Sequence, residues 1–208
     1  MVPTRAPRPS RTALALAAAV LLLLVLFVSA QTARFPFAPL DDDIYVYANP
    51  VTTLGFSPGF LERALRLDVP TYWHPLTWLS LQFDAELFGL NPAAFHLVNV
   101  GWHAANVLLF LWLGLRLGLG LAPALFAAAL FAAHPMHVES VAWITARKDV
   151  LSGFFWLAAT LAYLGYAKRP SAGRYALTAL LLALGLLAKP VLATLPCALL
   201  LLDFWPLG

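Results

Sequence analysis

Long apolar runs without charged residues constrain this chain more than any other feature of its sequence. The first run extends from Ala13 to Val28 and contains no charged or polar side chain. Only 11% of all residues are charged, whereas soluble domains carry about 25%. Runs of this kind, without regular polar interruptions, are typical of helices that cross a membrane. The sequence therefore predicts an all-α integral membrane protein that has the lipid bilayer as a partner.

The order of the apolar runs predicts a multi-span helical bundle made of one module, residues 1–208. Basic residues cluster at one set of segment ends, which the positive-inside rule assigns to the cytoplasm together with the N-terminus. The basic residues are Arg5, Arg8, Arg11, Arg116, Lys168, Arg169 and Arg174. Spans are expected at about residues 12–30, 95–115, 117–133, 150–167, 175–188 and 191–204, with outer loops at 31–94 and 134–149.

The first apolar run has a second interpretation. Val28-Ser29-Ala30 fits the small-x-small pattern of a signal-peptide cleavage site. Because further spans follow, we expect the first helix to be retained.

Two amphipathic helices are expected in the first outer loop, where they would lie along the membrane surface and shape a cavity. One begins at the Ser57-Pro58 pair and ends near Leu67, and the other runs from Pro75 to about Phe88. The second has separate apolar and polar faces.

Four polar residues of the second span recur at helical spacing and share one face, which must point at protein rather than lipid. They are His96, Asn99, His103 and Asn106. Interhelical hydrogen bonding explains such a face most simply, and His96, nearest the outer end, is the best candidate for substrate binding.

Three consecutive carboxylates follow the first span, at Asp41, Asp42 and Asp43. Crowded carboxylates raise the pKa of at least one member, which can create a general base. The same cluster can bind a divalent cation, and a solvated acidic turn is the simplest alternative.

The second outer loop carries cations that could hold a phosphate leaving group. Arg147 and Lys148 are its candidates, with Lys189 nearby on the outer side. The alternative is that these cations only anchor the chain at the membrane interface. There is no glycine-rich phosphate loop, so a cytosolic nucleotide donor is not expected. No basic stripe is present either, so no nucleic-acid partner is predicted.

The histidines His74, His134 and His137 invite a metal interpretation, but the sequence has no HExxH motif and Pro135 interrupts the first turn. We expect them to form hydrogen bonds, and we predict no metal ligands and no cofactor.

Four segments in order resemble a known family: DDDIYVYANP, YWHPLTWLSLQFDAELFGLNPAAFHLVNV, HPMHVESVAWITARKDVLSGFFWL and LLAKPVLATLPCALLLLDFWPLG. They are similar to the membrane part of bacterial tetratricopeptide-repeat proteins. Those proteins resemble the transmembrane-and-tetratricopeptide-repeat O-mannosyltransferases of animals and, more distantly, the protein O-mannosyltransferases of the GT-C glycosyltransferase fold. The resemblance covers residues 12–208. It implies a polyprenyl-phosphate sugar donor, a protein or glycan acceptor hydroxyl, transfer outside the cytoplasm and inversion at the anomeric carbon.

The resemblance also implies site residues. The family has an acidic pair in the first outer loop, and Asp42 belongs to that pair whether its partner is Asp41 or Asp43. His74 falls at a site-lining polar-Pro element. The second-loop pattern is matched by His137, Glu139, Arg147 and Asp149.

Such proteins continue with further spans and repeats, so the chain looks like an N-terminal GT-C part from a bacterial inner membrane. The enzyme hypothesis has a rival, a non-catalytic scaffold or transporter-like module. Transporters carry key charges near the bilayer midplane, whereas most charges here lie in the outer loops, which favours a glycosyltransferase.

Overall fold

A computed structural model describes residues 9–66 and 72–204, and every regular element within them is helical. The α-helices are α1 (Arg11–Ser29), α2 (Pro50–Thr53), α3 (Phe60–Leu65), α4 (Pro75–Phe88), α5 (Pro92–Arg116), α6 (Leu121–Ala133), α7 (Val138–Ala142), α8 (Arg147–Lys168), α9 (Ala172–Ala188) and α10 (Leu195–Leu202). Short 3-10 helices and one π-helix, Asp43–Tyr47, connect them. The prediction of an all-α membrane bundle is confirmed.

Three helical segments of the described chain are long and apolar enough to cross a membrane: Arg11–Arg34, Pro92–Arg116 and Ile144–Lys168. A fourth span results if Leu121–Ala133 and Pro135–Ala142, which meet at a 50° bend, are counted together. The protein is therefore a multi-pass membrane protein. The two predicted C-terminal spans are shorter apolar helices. Ala172–Ala188 has 17 residues, a length of about 25 Å, below the thickness of a typical hydrocarbon core.

The long helices pack around a core of small and branched side chains. Ala124, Ala128 and Ala132 are buried at four-residue intervals along α6, where α1 and α5 pack against that helix. Small side chains at this spacing let helix backbones approach closely, which is the usual basis of helix association in lipid. On its other side α5 packs on α8, and α8 packs on α9.

Two Asn-Pro pairs explain where helices begin. The side chain of Asn91 accepts a hydrogen bond from the backbone N–H of Ala93 at 3.1 Å, and Asn49 accepts one from Val51 at 2.8 Å. The prolines that follow occupy the first helical position, where no backbone donor is needed. His74-Pro75 opens α4 in a similar way, but the His74 side chain makes no capping hydrogen bond.

The second predicted loop helix is confirmed as α4, with its polar side facing the protein. Thr77, Gln82 and Asp84 are buried, whereas Phe83 and Leu87 are 50% and 56% exposed. The helix therefore buries these polar side chains together with Trp78 and Leu81, and leaves Phe83 and Leu87 facing outward.

The first predicted loop helix needs a correction at its start. Gly59, at φ +78°, is the N-cap of α3, rather than Ser57. The Ser57 hydroxyl instead accepts a hydrogen bond from the Arg63 guanidinium at 2.8 Å, so it is not used as a cap. The predicted end near Leu67 lies outside the described residues, as do Arg5 and Arg8.

Candidate functional site

The polar face of α5 is buried, as its spacing predicts, and three of its four members bond to neighbouring segments. The Asn99 amide donates to the Trp143 carbonyl at 3.0 Å, and the Asn106 amide donates to the Val150 carbonyl at 2.8 Å. A ring nitrogen of His103 lies 3.1 Å from the Ala132 carbonyl oxygen. These residues hold helices together in a medium where an unpaired polar group is costly. His96 differs from them, as described below.

Arg147 is fully buried and connects three helices. Its Nη2 donates to Oδ2 of Asp84 at 2.6 Å and to the Phe95 carbonyl at 3.1 Å. Its Nη1 donates to the Ser80 hydroxyl at 2.8 Å, and its Nε donates to the Asn99 side chain. A buried guanidinium with every nitrogen occupied is not available to a phosphate. Arg147 thus ties α4, α5 and α8 together. Its substrate role stays a prediction from the sequence, and Lys148 is the more accessible cation of the pair.

Asp42 is 1% exposed and holds two distant segments together. Its Oδ1 accepts hydrogen bonds from the backbone N–H and the hydroxyl of Thr145, at 3.1 and 2.6 Å. Its Oδ2 accepts one from the backbone N–H of Ala38 at 2.8 Å. A carboxylate oxygen can accept about two hydrogen bonds, so Oδ2 keeps room for one more donor. Thr145 therefore contributes to this site, although no motif or spacing in the sequence selects it.

The neighbours of Asp42 are placed differently. Asp41 adopts a left-handed backbone conformation at φ +79°, which is unfavourable for a residue with a side chain and turns the chain sharply here. Asp43 begins the π-helix. The described residues contain no group of three or more His, Cys, Asp or Glu side chains placed to hold a metal ion.

A cavity of about 360 Å³ opens beside Asp42. Its walls come from the segment after α1, the outer end of α5, and α7. The lining residues are Phe35, Pro36, Ala38, Leu40, Asp42, His96, Val138, Glu139, Ala142 and Trp143. Two predicted substrate-binding residues, His96 and Glu139, thus share this cavity with Asp42.

His96 lies in the cavity wall with its polar atoms unsatisfied. The side chain is 2% exposed, and Phe35 contacts its ring edge-on at a centroid distance of 6.1 Å. Carbonyl groups of Phe35, Pro36 and Ala142 lie around the ring, but none is aligned with a ring nitrogen well enough for a good hydrogen bond. Buried polar groups normally have partners, so this ring has unused hydrogen-bonding capacity.

Lys148 does not line the cavity but contacts the ring of Trp143, which does. Its Nζ is 4.9 Å from the centroid of the Tyr45 ring and 5.4 Å from that of Trp143, so both aromatic rings hold the ammonium group in place. The carboxylates of Asp41 and Asp42 are within electrostatic range of Lys148. This cation therefore lies next to the acidic segment without being sealed in the core.

Three further groups surround Lys148. Asp149 forms an ion pair with Lys189, each about one third exposed. His74 is 6% exposed and its Nδ1 has no hydrogen-bond partner. Burial, together with the nearby charges of Lys148 and Lys189, lowers the pKa of His74 to about 4. His74 is therefore neutral at physiological pH.

The histidines of the second loop lie apart from this site. His137 is hydrogen-bonded through Nδ1 to the Phe131 carbonyl at 2.8 Å, and its ring packs on Phe131 at 4.5 Å. His134 caps its own short 3-10 helix. Neither lines the cavity, and the role of His137 in substrate binding stays a prediction.

The fold and site define a class: a helical membrane protein in which a carboxylate, a cavity and an adjacent cation lie together at one set of helix ends. Residues 69–206 match the family model described as dolichyl-phosphate-mannose-protein mannosyltransferase. The chain belongs to this family.

The chain is also similar to several curated relatives. It is 40% identical over 91 residues to "Protein O-mannosyl-transferase TMTC3" of Mus musculus, covering 44% of this chain and 10% of the relative. It is 41% identical over 104 residues to TMTC2 of the same organism, covering 47% and 12%. With Tmtc1 of Drosophila melanogaster it shares 35% over 126 residues, covering 59% and 14%. The matched parts thus amount to about a tenth to a seventh of these relatives. No solved structure matches.

Proposed function

We propose that the chain forms the reaction-centre part of a membrane glycosyltransferase of the GT-C type. In this proposal a mannosyl group moves from a polyprenyl-phosphate donor to a hydroxyl of a protein Ser or Thr. The reaction takes place on the extracytoplasmic side of a bacterial inner membrane, with the N-terminus in the cytoplasm. The observation that carries the proposal is the position of Asp42, a fixed carboxylate in a cavity wall with a lysine close by.

Asp42 is the proposed general base. The acceptor hydroxyl would donate its hydrogen bond to Oδ2, the oxygen with remaining capacity, while Thr145 holds Oδ1. As the hydroxyl oxygen attacks the anomeric carbon, its proton passes to Asp42. A base held by three hydrogen bonds loses little freedom when the acceptor binds, which lowers the cost of orientation.

Lys148 is the proposed partner of the leaving group. When the anomeric C–O bond breaks, the electron pair stays on the phosphate oxygen, and a nearby ammonium group stabilises the added charge. Attack from the face opposite the phosphate gives inversion at the anomeric carbon. His74 and Lys189 lie beside Lys148 and would complete the phosphate side, while Asp149 would hold Lys189 in position.

The test is transfer of labelled mannose from a polyprenyl-phosphate donor to peptide in membranes containing the protein. Asp42→Asn keeps the size of the side chain but removes the base, and it should lower transfer by about 10²–10⁴-fold. Glu62→Gln, which changes an exposed carboxylate of α3, is the control and should stay near wild type, whereas loss with Asp43→Asn alone would move the role to Asp43. Activity of Asp42→Asn within about tenfold of wild type would exclude Asp42 as the base, and loss with Asp41→Asn alone would move the role to Asp41.

A further inference from the structure

The charges that line the cavity beside Asp42 differ from those around Lys148, where the donor phosphate is proposed to bind. The ten residues that line the cavity include two carboxylates, Asp42 and Glu139, and no lysine or arginine. A phosphate placed there would face two carboxylates among mostly apolar side chains, with no cation in the lining to offset the repulsion. Lys148 contacts the ring of Trp143, a lining residue, but does not itself line the cavity. The lining is therefore unfavourable for the donor phosphate, and the groups that favour a phosphate lie outside it.

We propose that this cavity binds the acceptor, and that it selects hydroxyl residues flanked by cationic rather than acidic side chains. The inference rests on the proposed function and adds the chemistry of the acceptor to it. Glu139 is exposed at the cavity wall, and its side chain makes no hydrogen bond in the described structure. Its charge is therefore free to attract a lysine or arginine on an incoming segment.

The remaining walls suit a short extended peptide. A volume of about 360 Å³ is at the small end of the range for ligand sites, which admits the hydroxyl residue and a neighbour but no folded structure. A ring nitrogen of His96 can donate a hydrogen bond to, or accept one from, a backbone amide of the acceptor peptide. With Asp42 at the hydroxyl, His96 at the backbone and Glu139 at the flanking side chain, three polar groups fix one binding direction.

Three peptides that share one threonine and differ only in flanking Lys, Gln or Glu residues provide the test. In membranes containing the wild-type protein, the Lys peptide should show a KM about two- to fivefold below that of the Glu peptide, the size expected for a partly exposed ion pair. Glu139→Gln should remove this difference and Glu139→Lys should reverse it, both with an unchanged donor KM. Glu62→Lys, an exposed carboxylate of α3 outside the cavity, is the matched control and should preserve the wild-type order.

A second variant tests the location without using charge. Ala142→Leu narrows the cavity and should raise the KM of all three peptides while leaving the donor KM unchanged.

The outcomes separate the inference from the proposed function. Equal KM values for the three peptides with the wild-type protein, or a preference that persists in Glu139→Gln, would refute the inference while the transfer itself upheld the function. If Glu139→Lys changed the donor KM instead, the cavity would belong to the donor lipid. Absence of transfer to every peptide would contradict both.

Discussion

The hydroxyl of Thr145 lies 2.6 Å from the carboxylate of Asp42 and joins two segments separated by 103 positions. This bond fixes the orientation of the carboxylate, because the Thr145 backbone N–H binds the same oxygen. Thr145→Val keeps the shape and the backbone donor but removes the hydroxyl, so transfer should fall by about tenfold or more, since hydrogen bonds to charged groups contribute about 1.5–3 kcal/mol.

Thr145→Ser restores the hydroxyl and should recover most of the rate. The measurement is kcat and KM for both substrates. The loss should appear in kcat, since Thr145 is a positioning residue that touches the base and not the substrate. A purely structural role would instead lower the protein yield of Thr145→Val without changing kcat per folded molecule.

Arg147 should matter for stability more than for chemistry. Arg147→Met leaves the buried Asp84 carboxylate without its partner, and removing one member of a buried ion pair costs about 3–5 kcal/mol. The double variant Arg147→Met/Asp84→Leu removes both charges and should be less destabilised than the sum of the single variants. Thermal unfolding of detergent-solubilised protein measures both. Additive effects would show that the pair in the structure contributes no coupling.

Lys148 should act on the donor. Lys148→Gln removes the ammonium group next to the acidic segment, so the donor KM should rise or kcat fall by about tenfold. Lys148→Arg keeps the charge and should retain more activity. Lys168→Gln is the control, since it lies at the opposite end of α8, about 30 Å away along the helix axis. If the donor KM and kcat of Lys148→Gln were unchanged, Lys189 rather than Lys148 would be the residue that stabilises the leaving phosphate.

The neutral state of His74 predicts a direction for the pH dependence of stability. The pKa of His74 is lowered from 6.5 to about 4 in the folded chain, so the unfolded chain binds more protons between these values. Its contribution to stability is therefore present above pH 6.5 and is lost as the pH falls toward 4. His74→Gln should flatten the decline in apparent Tm between pH 6.5 and 4.5. An equally steep decline in the variant would show that other groups cause it.

The proposed orientation can be tested by labelling. After Cys197, which is exposed, is replaced by Ser, single cysteines at Thr53 and Ser140 should react with an impermeant reagent added from outside. A cysteine at Ser171, beside the basic residues Arg169 and Arg174, should react only after the membrane is opened. Labelling of Ser171 from outside, with Thr53 and Ser140 protected, would show that the topology is the opposite of the one proposed. Release of the chain after Ala30 would show that the first helix is a signal peptide.

Local patterns predicted much of the fold, because they act over one or two helical turns. The spacing of His96, Asn99, His103 and Asn106 predicted a buried face, and the Pro75 signal predicted the start of α4. The hydrogen bonds between Asp42 and Thr145 could not be predicted in this way. The two residues lie 103 positions apart, and no short sequence pattern links them.

Arg147 illustrates a second limit. Its position beside Lys148 in the sequence suggested that both cations face the site. Successive residues of a helix point about 100° apart, however, so one guanidinium is buried against Asp84 while the next side chain lies over Tyr45. Helical phase at the start of α8 therefore decides which cation is available, and sequence alone leaves that phase open by a residue or two.

Because the polar residues of α4 point into the protein and two of its apolar residues point outward, the medium around the helix affects its position. Asp84 binds Arg147 on one side of this helix, while Phe83 and Leu87 are exposed on the other. Phe56 contacts the Phe83 ring at a centroid distance of 5.9 Å, but about half of each of the two side chains is exposed. An amphipathic helix at a membrane surface places such side chains against the acyl chains. Lipid composition should accordingly affect the tilt of α4 and, through Asp84, the position of Arg147.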